Sequence, residues 1–261
     1  MRRYLRVYRT FFFSAFAREL EFRANFFAKL LQNAVWILFY LILLLVIYSN
    51  TERVAGWGRG EAFVLTANVF LVGSFIQVFT GGLHTIPEQV RKGTLDFVIT
   101  KPIDTQFWVS CRVFNFSNIG TVIAGIVMIV VGLRQSGLHP DAGQWAAYLG
   151  LMACAVSLYY SFVLALMTLG IWLVRVDNLW VLGETVLDIA RFPTSIYEPF
   201  VQRALLYYLP LALVAMAPTQ QLTVGVDPHL IALGLGWGTG AFLASRWFWN
   251  FALRYYGSAS S

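Results

Sequence analysis

Glu184, Asp188 and Arg191 stand at i, i+4 and i+7, one stripe of a helix, inside a mostly apolar stretch. Asp188 and Arg191 are spaced to pair across a turn. A charge at the centre of a bilayer costs roughly 2.5–3.5 kcal/mol on insertion scales, so this stripe faces protein or water and not lipid. It is a polar strip lining a subunit interface or conduit, or else an intramolecular salt bridge or a placement at the cytoplasmic interface. Residues suited to bond-making chemistry are dispersed. His84, His139 and His229 stand apart from one another and from any cysteine or acid cluster, so no metal site is expected. Cys111 and Cys154 sit beside or inside apolar runs, with spacing for neither a disulfide framework nor a metal clip; they read as small buried hydrophobes. There is no G-x-x-x-x-G-K-[ST] loop to cradle a phosphate, and Lys92-Gly93-Thr94 has the wrong order for one. No G-x-S-x-G elbow occurs either. The sequence therefore offers no catalytic, cofactor-binding or metal-binding residue, and hydrolysis of ATP by this chain alone is not expected.

A second charged group lies in PEQVRKGTLDFVITKPIDTQFW, residues 87–108. It holds Glu88, Arg91, Lys92, Asp96, Lys101 and Asp104, while the flanking stretches 62–82 and 113–132 have almost no charge. Pro87 suits the first turn of a helix, and Glu88 lies near its positive end. Gly93 interrupts that helix, and Pro102 biases Lys101 to extended backbone. A plain tether would not need Leu95, Phe97, Val98 and Ile99. Those side chains require a partner: the membrane interface, the chain's own helices, or another protein.

Composition says what surrounds these groups. Of 261 residues, 58% are hydrophobic and 12% charged, against about 25% charged in a soluble domain. Such a chain cannot cover itself with polar surface, so it is read as an integral membrane protein. The net charge of +6 comes with no basic patch suited to nucleic acid and fits Lys- and Arg-rich cytoplasmic loops instead.

A helix needs roughly 20 mostly apolar residues to cross the hydrocarbon. Residues 30–48, 62–82, 107–133, 145–174, 178–197 and 230–253 are the expected spans, six in all. The piece 204–217 is bracketed by prolines and too short to cross, so a re-entrant or interfacial half-helix is expected there. No period-2 pattern recurs, which excludes a barrel. With the N-terminus inside, fourteen Lys and Arg lie on the inner side: seven from Arg2 to Lys29, then Arg91, Lys92, Lys101, Arg112, Arg175, Arg246 and Arg254. Four lie outside: Arg53, Arg59, Arg134 and Arg203. The bias places both termini in the cytoplasm. In residues 1–29, Arg2, Arg6 and Arg9 recur at helical spacing, and Val7, Phe11, Ala15 and Phe22 supply an apolar side. An amphipathic helix lying in the cytoplasmic interface is expected. Arg18 and Glu19 break the apolar run 11–17, so a cleavable signal is not.

The run EQVRKGTLDFVITKP closely resembles the first cytoplasmic loop of ABC transporter permeases of the second export type, six-span subunits that export drugs, lipids and polysaccharides. The matching positions are Glu88, then Gly93-Thr94-Leu95-Asp96, then Val98, Ile99 and Pro102. Within that family the ending Lys101, Pro102, Gln106 and Phe107 looks most like a branch that often pairs two different permeases with one ATPase. Asp96 replaces the commoner Glu, and Lys101 the commoner Thr. The resemblance implies a coupling helix docked in a groove of a cytoplasmic ATPase dimer, which binds ATP and magnesium. Glu88, Arg91, Lys92 and Asp96 would orient it, Leu95 and Phe97 would fill the groove, and Gly93 and Pro102 belong to the same coupling set. It implies a second permease, identical or homologous, and a re-entrant element closing the outer side, with Tyr207, Tyr208 and Pro210 as its gate. The expected cargo is amphipathic, lipid-linked or drug-like, and the expected site is the cell's inner membrane. The alternative is an ATP-independent carrier or an integral membrane enzyme; an enzyme should cluster His, Asp or Ser near one face, which this sequence does not.

Overall fold

The computed structural model describes residues 2–21, 23–173 and 179–257. Phe22, Arg175 and the first residue of the span expected at 178–197 lie outside the described residues, as does the last residue of the span at 145–174. Among the described residues the architecture is helical, apart from one two-stranded hairpin. Helix α1 (Arg2–Glu21) precedes the long α2 (Arg23–Asn50). The hairpin pairs β1 (Arg53–Val54) with β2 (Trp57–Gly58) through Ala55 and Gly56, both at positive φ, as a two-residue primed turn requires. Then come α3 (Arg59–Thr80), a 3-10 turn at Gly81–Thr85, α4 (Ile86–Arg91), α5 (Asp96–Ile99), α6 (Thr105–Cys111) and α7 (Ile119–Gln135). The rest is α8 (Ala142–Thr168), α9 (Leu179–Ile189), α10 (Pro199–Tyr207), α11 (Met216–Thr223) and α12 (Pro228–Tyr255).

Four helical stretches among the described residues are long and apolar enough to cross a membrane: Arg23–Asn50, Arg59–Arg91, Phe116–Gln135 and Ala142–Ile171. Helix α12 matches them in length at 28 residues; Gly234, Gly236, Gly238, Gly240 and Arg246 temper its apolar character. The hydrophobic α3 is the central post. It is enclosed by α7 and α8, and α12 packs on the far side of α8. Backbones approach closely where side chains are absent: a Cβ on Gly132 would stand 2.5 Å from the carbonyl oxygen of Gly60, the small-residue packing that membrane helices use. A buried polar knot ties α11 to this post. Asn68 donates to Thr219 Oγ1 at 2.9 Å and accepts from the Tyr148 hydroxyl at 2.8 Å.

Four expectations are revised. The run 107–133 is not one helix: α6 ends at Cys111 and α7 starts at Ile119. Asn115, Ser117 and Asn118 hydrogen-bond locally and to α2 and α3, offering the backbone an alternative to the helix. The run 178–197 holds an 11-residue helix, about 16 Å at 1.5 Å per residue. Pro193 ends it by disfavouring helical backbone at Phe192. The run 204–217 is broken as well: α10 stops at Tyr207, and Pro210, which has no N–H to donate, precedes a 3-10 turn and α11. Residues 23–29 belong to the apolar α2 and not to the N-terminal amphipathic helix. Within α1, Val7 and Phe11 are half-buried and Ala15 is buried, while Arg2, Arg6 and Arg9 are exposed.

Candidate functional site

Residues 81–111 form a platform at one end of the bundle. Pro87 opens α4, and Lys92 closes it by donating its backbone N–H to Glu88 O. Gly93 follows at φ +66°, left-handed backbone that glycine adopts without strain, and turns the chain into α5. That turn divides the apolar residues. Leu95 is fully buried and Val98 nearly so, both in the main core with Ile86. Phe97 is 71% exposed and Ile99 is 40% exposed. The sequence expectation that Leu95 fills a partner's groove is therefore corrected: Leu95 holds the platform to its own protein, and Phe97 is free to meet another. Arg91, Lys92, Thr94 and Pro102 are exposed residues of the same platform. Lys92 and Glu88 form an exposed i,i+4 ion pair, a small term in stability. Asp96 is half-buried beside Tyr256. Burial first, and then the Asp96 carboxylate, push that tyrosine up to about 12.

The platform is tied to the bundle through α6. Asp104 caps it, accepting from the Phe107 N–H at 2.9 Å. The other carboxylate oxygen accepts from Arg246 of α12 at 2.8 Å, and the same guanidinium donates to Gln106 Oε1 at 3.1 Å. Gln106 donates to the Tyr160 hydroxyl of α8, which Ser110 also meets at 2.8 Å. Trp249 donates to Thr105 at 3.1 Å. Burial would raise the Asp104 carboxyl, but the bonds from Arg246 and the Phe107 amide outweigh it and hold the group below its ordinary value. Helix α1 covers the outer face with aromatic rings: Tyr4 on Phe107 and Phe11 on Trp108, each with centroids 5.0 Å apart, and Tyr8 on Phe114. Lys101 lies 3.7 Å over the Trp108 ring. The sequence reading missed the Asp104–Arg246 clamp. Two signals pointed toward it: an acid directly before Thr105 is a cap, and Arg246 is a lone charge in an apolar run that must find a partner.

The stripe Glu184, Asp188 and Arg191 lines a cleft of about 860 Å³ between α2, α3, α9 and the start of α7. Arg191 and Asp188 pair at 2.7 Å, and the guanidinium lies 4.0 Å from the Tyr40 ring centroid and 4.8 Å from that of Phe70. Glu184 ends a hydrogen-bonded row of amides. Asn33 donates to Asn118, Asn118 to Gln77, and Gln77 to Glu184 Oε1, at 3.0, 2.9 and 3.3 Å. Lys29 and Gln32 lie on the α2 wall. The structure thus brings the three sequence-predicted residues to one cavity and adds five amides, Gln32, Asn33, Gln77, Asn115 and Asn118, from three other segments. Of the residues expected at an outer gate, Tyr207 lines a smaller cleft of about 480 Å³ with Arg203 and Asp227. Tyr208 is 79% exposed, and Pro210 breaks the helix.

Residues 34–260 match the family described as ABC-2 family transporter protein, while no curated protein and no solved structure matches the chain. That match spans most of the chain, including the platform and the cleft apart from the α2 residues before 34, and it agrees with the long apolar helices. The chain belongs to the ABC-2 transporter family and is a multi-pass membrane permease subunit of an ABC transporter, of the kind that generally works with an ATPase partner.

Proposed function

We propose that this permease carries an amphipathic cargo outward through the cleft beside α9, driven by a separate ATPase dimer that docks on α4 and α5. The carrying observation is the division of α5: Phe97 is exposed while Leu95 and Val98 are locked in the core. An exposed aromatic on a helix that cannot slide is suited to receive a push and pass it on. The absent phosphate loop supports placing ATP and magnesium on the partner, and the chain alone is expected to show no ATPase activity. In this reading the chain makes six passes, with both termini cytoplasmic in the inner membrane. The fifth pass is the run expected at 178–197, in which the short α9 supplies the helical part and the chain beyond Ile189 covers the remaining distance. Trp180 lies on His84 near the platform, and Ser195 Oγ donates to Ala55 O on the hairpin, at the opposite end. Segments 199–223 then form the re-entrant part, with Tyr207, Tyr208 and Pro210 at its outer edge. A second permease, identical or homologous, completes the pathway; the exposed apolar face of α2 supports such pairing.

The test is co-purification of the permease with its ATPase, wild type against Phe97→Asp. Losing the burial of Phe97 removes about 1.5–3 kcal/mol, and forcing a carboxylate against apolar walls removes more. With each ~1.4 kcal/mol worth a factor of ten, the variant should insert and fold normally yet lose the ATPase. Retention with unchanged affinity would show that the platform is not the docking element.

A further inference from the structure

The lining of the cleft narrows the chemistry of the cargo, on the reading that the cleft is the transport site. Among the described residues no cation pairs with Glu184; its carboxylate meets only the Gln77 amide. Arg191 is nine-tenths buried, with its Nε on Asp188 and its guanidinium carbon over the Tyr40 and Phe70 rings, and its Nη1 has no hydrogen-bond partner. A buried guanidinium N–H without an acceptor is costly in a folded protein and is expected to be completed by a ligand or ordered water. The two unmet needs are opposite in sign. Asp188 lies between them along the chain, one turn from Glu184 and in contact with Arg191. Nη1 is fully covered, so an anion meets it when the cleft-lining Arg191 side chain shifts toward the cavity, and a cation beside Glu184 and Asp188 would then be a neighbouring group of the same ligand. Beside Lys29, Gln32 and Asn33, the α2 wall also offers an apolar strip: Leu31, Val35 and Trp36 line the cleft and are more than half exposed.

We propose that the cleft binds an amphiphile with a zwitterionic head, its cationic group at Glu184, its anionic group at Arg191, and its apolar tail along α2. Carboxylate and guanidinium each recognise their counter-charge in a partly desolvated site, and a single-charge head leaves one of them unanswered.

Equilibrium binding to the purified full chain in maltoside micelles tests this, using probes that share one tail: dodecylphosphocholine, dodecyltrimethylammonium and dodecyl phosphate. The zwitterion should bind at one equivalent and at least about tenfold tighter than either single-charge probe. Glu184→Gln, which keeps an acceptor for Gln77, should weaken the zwitterion and the cation and spare dodecyl phosphate. Arg191→Lys, which keeps the charge and loses the planar fork, should weaken both phosphate-bearing probes and spare dodecyltrimethylammonium. Glycerophosphocholine separates a head-only ligand from an amphiphile, and should bind more weakly than dodecylphosphocholine. Phosphate that co-purifies at one equivalent and is not displaced by the zwitterion would mark a resident bilayer lipid and not cargo, and would overturn the cargo assignment. Equal binding of the three tailed probes, or indifference to Glu184→Gln, would overturn the ligand class. The Phe97-dependent pull-down on the wild-type chain is scored separately, so the permease reading can stand if this one falls.

Discussion

Leu95 and Phe97 are two positions apart and have opposite environments. Residues two apart do not share a helix face, whereas Leu95 and Val98, three apart, do. That spacing was available in the sequence, but nothing in it said which face met the protein's own core. The consequence is measurable. Leu95→Ala should cost about 2–5 kcal/mol as a buried truncation and lower the thermal unfolding midpoint. Phe97→Ala should change stability by no more than about 0.5 kcal/mol while weakening the ATPase pull-down. Equal destabilisation by both would show that Phe97 is also structural. Asp104 could be read as a cap from its neighbours, but its partner Arg246 is 142 positions away, a pairing only the fold creates. Its folded carboxyl titrates below the ordinary 3.8. Its stabilising contribution is therefore complete above that value and fades as the pH falls through the folded one. Acid titration of α12 protection in hydrogen exchange should show this loosening, and Asp104→Asn should remove the acid-dependent part.

At the level of elements, the long helices and the charged platform were readable because apolar length and charge contrast are local properties. The breaks were less so. Pro193 and Pro210 were visible, and each in fact ends helical structure close by. The gap between α6 and α7 has no proline or exposed turn to announce it. It exists because Asn115, Ser117 and Asn118 find partners on neighbouring elements while Phe114 and Phe116 bury against α1. The knot at Asn68 has the same character. Asn68 stands in an apolar run, and its partners Thr219 and Tyr148 lie on two other helices. Asn68→Leu leaves the buried Tyr148 hydroxyl without a partner, at about 1–3 kcal/mol, while Thr219 keeps its bond to Ala215 O. The variant should free α11 selectively, seen as faster exchange of its amides. Uniform destabilisation of all helices would instead mean that the knot supports the whole bundle.

For the whole molecule, the Lys and Arg asymmetry gives an orientation that the fold can express physically. The platform and the hairpin lie at opposite ends of α3, so one should face each side. In a background lacking Cys111 and Cys154, a cysteine at His139 should react with an impermeant reagent added outside, and one at Thr94 should not. His139 is preferable to its neighbour Gly137, whose φ of +65° would strain any other residue. The reverse pattern would overturn the orientation. The cleft has an electrical consequence too. Among the described residues its lining carries two acids, Glu184 and Asp188, and two bases, Lys29 and Arg191, so their formal charges sum to zero. A net charge crossing the bilayer exchanges about 2.3 kcal/mol with each 100 mV of membrane potential, whereas a net-neutral cargo exchanges none. Movement of the zwitterionic probe into inverted vesicles holding the permease and its ATPase should then keep the same rate when a potential of either sign is imposed. The work of ATP would be spent on the concentration step alone, and the cell could depolarise without stalling the transporter.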